Sequence, residues 1–157
     1  MNEHINAWKA AFTAVLGGLT ALWGWLGWLL LGWIALMSLD YITGSLAACK
    51  EGRWSSKAAR DGVWHKAGMV VVVLVATGAD LLLSLVLENL PLVELPFAYT
   101  GLLLPLVLVW YCITELGSIG ENAVLMGAPV PAWLPRLLAA GKDAVDQAGE
   151  SITPEKK

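Results

Sequence analysis

Asp40, Asp80 and Glu115 are the residues whose chemistry most needs a setting, because each stands in a stretch otherwise nearly free of charge. Their neighbours are polar or small at helical spacing. Asp40 lies beside Tyr41, Thr43 and Gly44; Thr77, Asp80 and Ser84 share one face of a helix; Tyr111, Glu115, Ser118 and Asn122 share another, with Glu121 at its edge. No such grouping forms a nucleophile–base pair, a phosphate loop or a zinc signature, and His4 and His65 sit at polar ends of segments, so catalysis is not expected. Asp40, Tyr41, Thr43, Gly44, Thr77, Asp80, Ser84, Glu115, Ser118, Glu121 and Asn122 are instead candidates for a pore lining or for helix–helix contact.

The setting is a bilayer. Hydrophobic residues make up 57% of the 157-residue chain and charged ones 15%, against about 25% charged in soluble domains. Residues 10–39 contain no Asp, Glu, Lys, Arg or His, and a spanning helix needs about 20 apolar residues. Spans are expected at 28–48, 62–87 and 97–121. An ionised carboxylate at mid-membrane costs about 2.5–3.5 kcal/mol even on lenient scales, so each acid must meet water, protein or a partner. Hydrogen bonding between helices, at about 0.6–2 kcal/mol per pair, is the expected role of Asp40 and Asp80. For the stripe from Glu115 to Asn122, a helix contact and a water-filled lumen stand level.

Basic residues gather between the first and second spans, as Lys50, Arg53, Lys57, Arg60 and Lys66, and such a short basic loop stays in the cytoplasm. Nucleic-acid binding is not expected of so short a loop flanked by membrane segments. The loop with Glu88 and Glu94 has no basic residue, which suits the outer side. Ser55-Ser56 suggests a helix N-cap or a turn, Asn89-Leu90-Pro91 an end to the second span, and Pro105 a kink in the third. The tryptophans around Trp23, Trp25, Trp28 and Trp33 are expected at headgroup level, where the indole is half wet. Cys49 and Cys112 are expected to pack as small hydrophobes, and no metal or cofactor is implied.

The ends differ from the middle. In residues 1–22, Asn2, Asn6, Lys9, Thr13, Gly17 and Thr20 form one polar stripe on an apolar helix. A helix lying in the membrane interface is the expectation, and a fourth span with its stripe toward a pore or neighbour is the alternative. Residues 129–157 combine a short amphipathic helix, carrying Leu134, Leu137, Leu138 and Val145 beside Arg136, Lys142, Asp143 and Asp146, with a polar tail. The fold class is therefore all-α integral membrane: an N-terminal amphipathic helix, a domain of three transmembrane helices over 23–128, and a C-terminal amphipathic helix. The N-terminus is expected outside and the C-terminus inside.

Asp40-Tyr41-Ile42-Thr43-Gly44 with Ala47-Ala48, then Ser55-Ser56, Arg60, Gly62 and Lys66, then Glu115, Ser118-Ile119, Glu121-Asn122, Gly127, Pro129, Pro131 and Leu134, stand in an order that resembles the toxin-secretion/phage-lysis holin family, of the phage holin family 4 type. The likeness covers roughly residues 28–138. It implies a non-enzymatic protein that gathers in the bacterial cytoplasmic (inner) membrane, forms homo-oligomers and opens lesions. Its partners are then the lipid bilayer and itself, with a lysin or a secreted toxin as cargo and no direct binding implied. A small membrane channel, or a membrane scaffold subunit of a secretion system, is the alternative.

Overall fold

A computed structural model describes residues 2–89 and 101–152, with the side chains of residues 2–5, 19, 20, 22 and 23 left aside. Among the described residues the chain is all-helical: α1 (Asn2–Trp23), α2 (Trp25–Lys50), α3 (Ser56–Asn89), α4 (Leu103–Leu125) and α5 (Trp133–Ser151). The expected outer loop beyond Asn89, with Pro91 and Glu94, the start of the third span at 97 and the polar tail from 153 lie outside the described residues.

Three helices, α2, α3 and α4, are long and apolar enough to cross a membrane. They run alternately, so that α2 and α4 are parallel and α3 is antiparallel to both: Trp33 meets Tyr111, while Lys50 meets Met126. An apolar core of Trp33, Met69, Val73 and Leu108 lies where the three meet, with Leu29, Met37, Leu104 and Cys112 packed around it. The opposite side of α3 is bare hydrocarbon. Val71, Leu74, Val75, Leu81 and Leu82 are all more than half exposed, a surface suited to lipid tails or to another copy of the chain.

Local chemistry sets the ends. The chain turns from α1 into α2 at Gly24, whose φ of 55° and ψ of −129° suit a residue without Cβ. Ser55 starts α3, its Oγ accepting from the Ala58 N–H at 3.1 Å. α3 thus begins at Ser56, and the basic segment is mostly not a loop: Lys57, Arg60 and Lys66 are helical, Lys50 closes α2, and Arg53 lies in the connection, paired with Glu51. α4 closes with Gly127 at φ 91°, the Gly127 and Ala128 N–H groups returning to Val124 and Ala123 carbonyls at 2.8 and 2.9 Å. Pro129 and Pro131 follow that stop rather than cause it. Pro105 also departs from expectation. It falls in the first turn of α4, where its missing N–H breaks no helical bond, so no kink is required.

The terminal helices match the amphipathic expectation. The described side chains of α1 are largely exposed, Trp8 and Phe12 among them. α5 packs against α4. Trp25 and Trp28 are exposed, but Trp33 is 2% exposed and stacks on Tyr111 with ring centroids 5.8 Å apart. The half-wet indole expected of this cluster is therefore not found at Trp33. Its Nε1 is the buried side-chain polar atom that lacks a hydrogen-bond partner among the described residues.

Candidate functional site

Charged side chains of α2, α3 and α4 meet inside the bundle. Lys66 is 10 residues into α3, about 15 Å from its start, and its Nζ donates to Asp40 Oδ2 on α2 at 2.9 Å and to Glu115 Oε1 and Oε2 on α4 at 2.8 and 2.6 Å. Asn122, two turns beyond Glu115, donates through Nδ2 to Asp40 Oδ1 at 3.1 Å and to Thr43 Oγ1 at 3.2 Å. One ammonium therefore links carboxylates from two other helices, and an amide ties the same α2 carboxylate to α4. Gly44 makes room: a Cβ there would come 3.5 Å from Asn122 Nδ2. Tyr41 packs its ring against Gly62 of α3. The Glu115 side chain is only 3% exposed, and those of Lys66 and Asp40 16% and 20%.

This arrangement removes Lys66 from the cytoplasmic basic group in which its sequence position placed it. Its neighbours in sequence remain outside: Lys57 and Arg60 are exposed at the same end of α3. Lys50 has a structural task, its Nζ donating to the Leu125 and Met126 carbonyls at 3.3 and 2.7 Å and so meeting the negative end of α4.

Asp80 has a separate task at the other end of the bundle. Its Oδ1 accepts from the Leu102 and Leu103 N–H groups at 3.2 and 3.0 Å, and its Oδ2 from Leu104 at 2.8 Å. A carboxylate on α3 thus caps the first turn of α4, where backbone donors are otherwise unpaired and negative charge is favoured. Thr77 bonds within its own helix, Oγ1 to the Val73 carbonyl at 2.8 Å, and Ser84 is half-buried away from the ion cluster.

The face expected to hold Glu115, Ser118, Glu121 and Asn122 together divides. Glu115 and Asn122 turn to α2 and α3. Ser118 and Glu121 turn to α5, where they line a cavity with Leu134 and Leu138. α5 runs back along α4: Gly141 sits against Ile113, Lys142 Nζ lies 4.1 Å from the Trp110 ring centroid, and Trp110 Nε1 donates to Asp146 Oδ1 at 2.8 Å. These α4–α5 contacts had no expectation in the sequence. Among the described residues no group of His, Cys, Asp and Glu is placed to hold a metal ion.

A model of a bacteriophage holin family matches residues 17–143. The chain belongs to that family. The match takes in the last third of α1, the whole of α2, α3 and α4 and the first half of α5, and the family is a membrane pore-forming, non-enzymatic one. An uncharacterized protein of Halalkalibacterium halodurans is 31% identical over 137 residues, 87% of this chain and 93% of that protein. An uncharacterized 14.9 kDa protein of Clostridium perfringens is 30% identical over 105 residues, 67% of this chain and 70% of its own. No solved structure matches.

Proposed function

We infer that this holin-family protein self-associates in the bacterial cytoplasmic membrane and opens lesions wide enough to release a lysin or another large protein. The observation that carries the reading is the partition of polarity in α2, α3 and α4. Asp40, Lys66, Asp80, Glu115 and Asn122 are satisfied inside the bundle, while the outer face of α3 is left apolar. Such a three-helix bundle enters lipid without unpaired charge and offers a long greasy surface to further copies.

The α2–α3 turn, with exposed Arg53, Lys57 and Arg60, faces the cytoplasm, and α2 therefore starts outside. α1, with Trp8 and Phe12 exposed on its apolar side, lies in the outer interface. The cluster around Lys66 acts as helix contact rather than as lesion wall. Induced expression in a bacterium beside a cytoplasmic lysin tests the function. Growth should continue, stop abruptly after a delay and be followed by lysis that depends on the lysin. Passage of ions without the lysin would favour a small channel, and no effect on either would favour a scaffold.

A further inference from the structure

A lesion that admits proteins needs a wall that tolerates water, and among the described residues the bundle has no polar face left for one. α1 and α5 are the described helices with such a face, and α5 is the one that packs along α4. It is not among the helices apolar enough to span by themselves, yet it returns along α4 from the cytoplasmic end. Leu134 and Leu138 lie at the level of Glu121 and Ser118, Gly141 at Ile113, Asp146 at Trp110, and Gly149 at Leu106 and Val107. At 19 residues, α5 is about 28 Å long, close to the thickness of a hydrocarbon core.

Its two sides are unlike. Leu134, Leu138, Gly141 and Val145 turn to α4. Arg136, Asp143, Gln147 and Glu150 recur at steps of seven, four and three on the other side and are exposed. Lipid cannot accept this row at the depth where α4 holds it. Water can.

Resting on the lesion-forming function argued above, we propose that α5 stays paired with α4 in the assembled lesion and that Arg136, Asp143, Gln147 and Glu150 form the water-facing wall. Each copy supplies one such strip, and a ring of copies closes the lumen. The contact of Gly141 on Ile113, together with Lys142 and Asp146 about Trp110, is the hinge-free attachment that keeps the strip at membrane depth. The outer half of each strip carries Asp143 and Glu150 and no cation, so the lumen prefers cations over anions. In this state the end of α5 lies at the outer side, in place of the cytoplasmic C-terminus expected from the sequence.

The test uses the full chain with Cys49→Ser and Cys112→Ala, reconstituted in lipid vesicles loaded with fluorescent dextran. Ile113→Cys and Gly141→Cys are then added and joined through a short bifunctional thiosulfonate that a reductant removes. The locked chain should release dextran as the unlocked chain does. If it releases none until reduced, α5 must leave α4 and the inference is overturned. If the unlocked chain releases no dextran, the lesion-forming reading falls, and this inference with it. In separate single-cysteine chains, Asp143→Cys and Gln147→Cys should react with a charged thiosulfonate about tenfold or more faster than Leu137→Cys and Ala144→Cys, since thiol reactivity follows access to water and ionisation. Equal rates would mean that the face is covered, and would overturn the proposal.

Discussion

Within the α2–α3–α4 bundle, the carboxylates of Asp40, Asp80 and Glu115 all end on donors of the same chain. Across the α4–α5 pairing, Asp146 does the same, but Asp143 and Glu150 remain on the exposed side. Both regions carry acids, and the partners decide what each acid does. An acid that meets Lys66 or the free N–H groups of a helix start joins helices. An acid with no such partner requires water. Polarity in a membrane segment is therefore not by itself a sign of a pore.

Substitutions within the bundle test this contrast, the largest effect first. Lys66→Leu leaves Asp40 and Glu115 facing each other without a cation. Removing one partner of a buried ion pair costs about 3–5 kcal/mol, so folded protein in membranes should fall to a small fraction of the parent, as measured by detergent extraction and size-exclusion chromatography. Gly44→Leu comes next. It drives a side chain into Asn122, 3.5 Å from where even a Cβ would sit, and overpacking of this kind costs about 1–3 kcal/mol. Thermal unfolding in detergent should show it, whereas Gly32→Leu, with open space around it, should not. Asp80→Ala removes the cap of α4 and should cost about 0.5–2 kcal/mol, with Asp80→Asn retaining part of the stability. Amide exchange confined to the start of α4 separates this from general unfolding.

Much of this architecture is legible in the sequence. The apolar runs mark the three spans, the polar stripe marks α1, the alternation of Leu and charge marks α5, and Ser55 marks the start of α3. Asp40, Asp80 and Glu115 stand out because the surrounding residues are apolar. Their partners do not. Lys66 reads as part of a basic loop until the cap at Ser55 is given its full weight; a helix starting at Ser56 carries position 66 about 15 Å inward. The division between Glu115 and Glu121 was open to the same arithmetic, since six residues at 100° place them about 120° apart. Asn122, seven residues on, returns to within about 20° of Glu115. The bond from Asp80 to the N–H groups of α4 leaves no such trace, because its partner is backbone, whose position depends on how α3 and α4 pack. The pairing of α5 with α4 is equally tertiary: an amphipathic helix announces a dry side but not what covers it.

On the function proposed above, the charges of the bundle are internal contacts and do not border the lesion. The direct measurement is the reversal potential, under a salt gradient, of lesions formed in a planar bilayer by a chain carrying Asp40→Asn, Lys66→Met and Glu115→Gln together. Replacing all the charges of such a cluster at once leaves none unpaired, which avoids the cost of removing Lys66 alone. The cluster variant should give the same reversal potential as the parent, while Asp143→Asn with Glu150→Gln moves it toward the anion value. A shift in the cluster variant, with none in the α5 variant, would contradict it.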